Sequence, residues 1–225
     1  MGSRSLLVAE DMLLIALDDD TGKLGWFDPR NLFGALLCDL IDRGAVTVDP
    51  KKKLHLADAP EHPALLALFD TMAASTKPRT IEHWLGTFPW KHSKPAALTA
   101  QQLVADGVLQ EQSDRVLGLF RTTRLPEADP GPERALRDRL KLILVDGSDP
   151  GAHDALLVTF LHHNQLVKDA LDGADGEQSR AGRRRAKQIA KDLKTNPVVK
   201  AQLDAAVAAA AVSIAGAAVV TASGT

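Results

Sequence analysis

The sequence is poor in the residues that mark small secreted proteins and most enzymes. It has one cysteine, no tyrosine and 4% aromatic residues. Cys38 has no partner within the chain, which excludes an internal disulfide framework and a paired-cysteine zinc site. A reducing, cytosolic compartment is expected. No glycine-rich phosphate loop, HExxH or G-x-S-x-G stretch occurs, so the common catalytic signatures are missing and no catalytic residue, metal ligand or cofactor is assigned. The first apolar run is broken at once by Glu10 and Asp11, so no signal peptide is expected. The acidic run Asp18-Asp19-Asp20 falls short of a calcium loop, because Gly22 comes one position early and Pro29 stands where the terminal glutamate belongs. A solvated turn is the expectation.

What is present is enough apolar material for a core: 225 residues, 45% of them hydrophobic. The net charge of −2 hides an asymmetry. Residues 1–70 hold 12 acidic and 7 basic side chains, while residues 177–200 hold 8 basic against 2 acidic. Such a local excess attracts phosphates, lipid headgroups or nucleic acid. Nucleic acid ranks behind lipid, because the whole chain is slightly acidic and no recognition motif accompanies the patch.

The dominant period is helical. Val8, Ala9, Leu13, Leu14 and Leu17 make one apolar face. Asp28 as cap, Pro29 at the first helical position and Gly44 past the end bound a second helix, with Leu32, Phe33, Leu36, Leu37, Leu40 and Ile41 as its buried stripe. Val46–Val48 and Leu54–Leu56 flank a basic turn and predict a short hairpin. Asp58 with Glu61 predicts a capping box before Leu65, Leu66, Leu68 and Phe69. A short helix over Ile81 to Leu85 and a longer one through Leu98, Leu103 and Val104, ending at Gly107, come next. A second hairpin is expected from Val108 to Phe120, with Glu111 to Asp114 as its turn. Asp129-Pro130 and Asp149-Pro150 repeat the cap-then-proline start and open two further helices. The expected architecture is one mainly helical domain over residues 1–225, a central helix bundle ringed by amphipathic helices and small β-hairpins.

From Ala205 to Ala222 the chain carries no charge, and 11 of its last 25 residues are alanine. Alanine is weakly apolar, Ser213, Gly216 and Thr221 interrupt the run, and aromatic anchors are absent. A small-residue helix through the middle of the bundle is expected here instead of a membrane span.

Few residues carry chemistry. His162 and His163 are adjacent and point about 100° apart on a helix, so they cannot chelate one ion from one face; one buried and one exposed histidine is the expectation. Arg180, Arg183, Arg184, Lys187 and Lys191 form a broad basic helical face. Both an anionic-membrane contact and a solvated face paired with the acidic N-terminal portion fit them. Trp26-Phe27, between Gly25 and Asp28, fits a bilayer interface, a ligand stack or a plug at the edge of the core. Trp84 and Trp90, which bracket the loop of Lys91, His92 and Lys94, raise the same alternatives. Arg121 and Arg124 fit either a phosphate or the carbonyls of the turn before Pro126.

Four stretches in order carry a resemblance: Glu10-Asp11-Met12-Leu13-Leu14-Ile15-Ala16-Leu17; the Gly34 to Leu40 helix ending in Asp42-Arg43-Gly44; Ala105-Asp106-Gly107-Val108-Leu109; and Leu117-Gly118-Leu119-Phe120-Arg121-Thr122-Thr123-Arg124-Leu125-Pro126. Together they resemble a bacterial, actinobacterial member of the Golgi phosphoprotein 3 family, from about Leu6 to the alanine-rich end. The resemblance implies a helical bundle and, by analogy with eukaryotic members, a peripheral membrane protein that binds phosphatidylinositol 4-phosphate and the cytosolic tails of Golgi enzymes. The implied headgroup site falls on Trp26, Arg30, Lys91 and Lys94, and Arg121 and Arg124 join it as phosphate candidates read from their place after the hairpin. The family's helix arginine aligns near Phe33, with Arg30 one turn earlier, and its other two basic positions align near Ser93 and Ala96. The implied membrane or self-association hairpin is Val116, Leu117, Leu119 and Phe120.

Two functions follow as expectations. The first is a non-enzymatic peripheral module on the inner, cytoplasmic face of the membrane, holding anionic phospholipid. The second is a soluble adaptor or homo-oligomer whose hairpin meets a protein partner without lipid.

Overall fold

The computed structural model describes residues 5–18, 21–23, 29–87, 93–116 and 120–195; the side chains of 29–31, 85, 93, 113–116, 120–123 and 194–195 are not among those described. The described chain is mainly helical. In chain order it runs α1 (Val8–Ala16), α2 (Pro29–Asp42), β1 (Val46–Val48), β2 (Leu54–Leu56), α3 (Pro63–Ala73), α4 (Ile81–Thr87), α5 (Ser93–Ala105), β3 (Gln112–Val116), β4 (Phe120–Arg124), α6 (Gly131–Leu144), α7 (Ala152–His163), α8 (Val167–Ala170) and α9 (Gly176–Thr195).

Helix α1 is the axis of the molecule. It packs against α2, α5, α6, α7 and α8, and all nine of its residues are buried. The expected single apolar face is therefore corrected: α1 is enclosed all round, Glu10 and Asp11 included. A buried carboxylate is tolerated only when its oxygens find donors, and each acidic group here does. Glu10 Oε2 accepts from Leu7 N at 2.9 Å, and Glu10 Oε1 lies 3.1 Å from His62 Nε2. Asp39, on α2, sends its two oxygens to Val8 N and Ala9 N at 2.9 and 3.1 Å. It thereby does for α1 what a local cap would do, since Leu7 at the cap position has no side-chain oxygen.

Most element limits agree with the pattern. Gly44 and Gly107 close α2 and α5 at φ +72° and +75°, where glycine carries no Cβ penalty. The first hairpin pairs Val46 with Leu56 and Val48 with Leu54. Three starts differ. The box of Asp58 and Glu61 is not used: α3 begins at Pro63, and His62 Nδ1 accepts from Ala64 N at 3.2 Å. Proline needs no N–H partner and presets φ, so it draws the start to itself. At α6, Pro130 is the cap residue, and Asp129 Oδ1 accepts from Gly131 N at 2.9 Å. At α7 the cap residue is Gly151, and Asp149 is drawn away to Arg185 at 3.3 Å.

The second hairpin is also shifted. Glu111 to Asp114 is not its turn; Gln112–Val116 is a strand paired with Phe120–Arg124, and residues 117–119 connect them. Glycine at the centre of an apolar triplet serves a tight connection better than the polar run before it. The basic helix α9 buries Ala186, Ile189, Ala190 and Leu193 against α6, α7 and α8 and leaves Arg180, Arg183, Arg184, Lys187 and Lys191 exposed. At Gly182 the helix lies close to Leu171, whose Cδ1 would have to shift to admit a Cβ. Arg185 pairs with Asp149, not with the acidic N-terminal portion. The alanine-rich stretch 205–222 lies outside the described residues. No described helix is long and apolar enough to cross a membrane.

Candidate membrane-facing site

The residues singled out for headgroup binding come from three elements. Arg30 lies in the first turn of α2, Lys94 is exposed in the first turn of α5, and Arg121 and Arg124 lie on β4. Trp26 and Lys91 lie outside the described residues, as do Leu117, Leu119 and Trp90. Helices α2 and α5 pack together.

The loop that leads toward α2 is fastened to the exit of β4. Asp18 Oδ1 accepts from Thr21 N and Thr21 Oγ1 at 2.8 and 2.6 Å, and Gly22 N donates to Asp18 O at 2.8 Å. Asp18 is thus bonded to Thr21 and Gly22, while Asp19 and Asp20 lie outside the described residues. Gly22 sits at φ +59°, and its carbonyl accepts from Leu125 N at 2.7 Å. A Cβ at Gly22 would stand 2.4 Å from Pro126 N. The turn after β4 is therefore held directly against Gly22.

The hairpin register adds a cation that the sequence reading missed. Arg115 is the direct Cα partner of Arg121, and Val116 is that of Phe120, the last pair before the connection. The signal was present. Arg115-Val116-Leu117-Gly118-Leu119-Phe120-Arg121 is symmetric in residue class about Gly118, which fits the pairing of Arg115 with Arg121 and of Val116 with Phe120. Like charges as direct partners cost stability in an isolated ribbon and favour a nearby anion.

Other candidates resolve as packing. Trp84 is buried in the core and stands edge-on to His83 at 5.5 Å. His162 and His163 are both half-buried, with ring centroids 5.4 Å apart, which corrects the expected split into one buried and one exposed. Among the described residues no group of three or more His, Cys, Asp or Glu is placed to hold a metal.

A buried carboxylate on α1 gathers charged partners from α6 and α7. Asp11 Oδ2 receives Arg139 Nη2 and His153 Nε2, both at 2.9 Å, while Arg139 Nε donates to Asp154 Oδ1 at 2.8 Å. The hydrogen bond to Asp11 raises the His153 imidazole above its usual value, against the opposing effect of burial. Burial pushes the Asp39 carboxyl up to about 7, against the two backbone N–H groups that hold it. This network clamps α1 to α6 and α7.

No curated protein gives a significant match to the sequence. The family model for Golgi phosphoprotein 3 (GPP34) matches residues 8–212, from the first residue of α1 into the alanine-rich end. The chain belongs to the Golgi phosphoprotein 3 family.

Proposed function

We propose that the chain is a peripheral membrane protein, one domain over residues 1–225, that binds anionic phospholipid headgroups on the inner face of a membrane. Arg30, Lys91, Lys94, Arg121 and Arg124 hold the headgroup together with Trp26, and Val116, Leu117, Leu119 and Phe120 enter the interface. The observation that carries this reading is the join of Gly22 to Leu125 and Pro126, at the exit of the basic strand β4. A polar ribbon ending in an apolar connection beside cations has the chemistry of a headgroup-level contact: charge toward phosphate, apolar side chains toward acyl chains. Phosphatidylinositol 4-phosphate is the headgroup that family membership suggests first. The same apolar connection supports the runner-up, a hairpin that meets a protein partner or a second copy.

Co-sedimentation with vesicles tests it. Neutral vesicles are compared with vesicles containing phosphatidylglycerol, phosphatidylinositol or its 4-phosphate, at low and physiological salt. Binding to anionic vesicles that weakens with salt supports the proposal, and selectivity for the 4-phosphate names the lipid. Absence of binding to all of them overturns it, and a hairpin-dependent mass in solution would then support the runner-up.

A further inference from the structure

A cleft of about 230 Å³ lies between the β1–β2 hairpin and the connection from α3 to α4, and it shares no residue with the proposed headgroup site. Met72, Trp84 and Leu54, all buried, give it an apolar floor. Its polar lining is His55, Ser75, Thr76, Lys77 and Arg79. His55 Nε2 is engaged by Asp49 Oδ2 at 3.0 Å, which leaves Lys77 and Arg79 as cations that no carboxylate pairs among the described residues. Lys77 is exposed, whereas Arg79 is half-buried and its Nε is buried without a hydrogen-bond partner. A desolvated guanidinium N–H without an acceptor is costly, and an anion held by the other N–H groups of this guanidinium would offset that cost.

The backbone under Arg79 is held firmly. Arg79 O accepts from Leu54 N at 2.9 Å, Thr80 bridges Lys53, and Ile81 N donates to Lys52 O at 3.3 Å. The segment is thus fastened to the chain entering β2 through an isolated antiparallel bridge, which holds the Arg79 backbone in place beside the cleft. Lys51 and Lys52, both exposed in the adjoining turn, add positive potential at its approach.

We propose that this cleft binds a phosphate monoester carried on a short apolar stem, with Arg79 and Lys77 on the phosphate and the stem on Trp84, Met72 and Leu54. Two cations suit a dianion better than a single carboxylate, and the guanidinium fork matches two phosphate oxygens at once. The volume is below the roughly 300–1,000 Å³ of sites that bury a drug-sized ligand, so the cleft takes a group and not a whole nucleotide or lipid.

Calorimetric titration of the full chain with phenyl phosphate tests this, with inorganic phosphate and phenol as comparisons. Saturable binding with a Kd of about 1 mM or tighter is expected. Inorganic phosphate should bind more weakly than phenyl phosphate, and phenol not at all. Arg79→Gln should weaken phenyl phosphate roughly 10- to 100-fold, the worth of a hydrogen bond to a charged group. Arg30→Gln and Arg124→Gln should leave it unchanged, which separates this cleft from the headgroup site. Should Arg79→Gln fail to fold, exposed Lys77→Gln serves the same purpose with a smaller loss. Absence of saturable binding, or wild-type affinity in a folded Arg79→Gln or Lys77→Gln chain, overturns the proposal. Competition of phenyl phosphate by vesicles containing phosphatidic acid would support the cleft and assign its phosphate to lipid. Undisturbed binding beside those vesicles would support it with a soluble phosphate ester as the source.

Discussion

His153 Nε2 stands 2.9 Å from Asp11 Oδ2, across 142 positions of sequence and the width of the bundle core. Asp11 is almost fully buried, while His153 keeps about a third of its side chain in contact with solvent. A buried carboxylate and a water-accessible imidazole thus share one contact, which makes the clamp between α1 and α7 sensitive to pH.

The sign follows from the direction of the shift. His153 is raised above its ordinary value of 6.5, so its contribution is fully present below that pH and is lost as the pH rises through the folded-state value. Urea unfolding of wild type and His153→Gln between pH 5 and 9 should show the wild-type advantage shrinking as pH increases. A pH-independent difference would count against a charged His153 in the clamp.

Asp39 predicts a slope of the same sign at lower pH. Its carboxyl rises from 3.8 to about 7 on folding, so the native state holds the extra proton and stability declines as the pH climbs through that window. Asp39→Asn should lack the slope between pH 4 and 7. Asp39→Ala should leave Val8 N and Ala9 N unpaired, at about 1–3 kcal/mol for each buried donor. Denaturant midpoints across this range test both, and an Asp39→Asn chain with wild-type slope would contradict the assignment.

Gly22→Ala should destabilise by about 1–3 kcal/mol, because the new Cβ meets the Pro126 backbone and sits at a positive φ. At roughly 2–4 °C per kcal/mol for a chain of this size, the melting temperature should fall by several degrees. If the loop and strand exit also form one lipid-binding unit, anionic-vesicle affinity should drop in the folded variant. An unchanged melting temperature would show that the join is dispensable.

On anionic vesicles, Arg30→Gln, Lys94→Gln and Arg124→Gln should each lose about 1 kcal/mol of binding, or roughly fivefold, at low salt. The losses should shrink toward physiological salt as the Debye length falls to about 8 Å. Phe120→Ser should weaken binding at every salt concentration, because it removes apolar insertion and not charge. Co-sedimentation separates these two signatures, and salt-insensitive losses in the arginine variants would argue for a protein contact instead.

The local chemistry of this chain was legible residue by residue. Pro29 and Gly44 bound α2, the Val46 and Leu54 runs became β1 and β2, and Gly107 closed α5, because each depends on backbone preferences that a residue carries with it. The polar run Glu111–Asp114 points to a turn about one whole strand too early, because polarity alone does not register the symmetry about Gly118. Helix α1 was read as one-sided because Glu10 and Asp11 look solvated in sequence. Only the tertiary structure supplies His62, Arg139 and His153, from three other segments, which make burial of those carboxylates affordable, and Asp39, which accepts from Val8 N and Ala9 N. The same holds for the contact of Gly22 with Pro126 and for the cleft that gathers Lys77 and Arg79 over Trp84. Caps, turns and periodicity act within a few residues and are written locally. Which charges meet in the interior is a property of distant segments brought together, and nothing in the spacing of one segment encodes it.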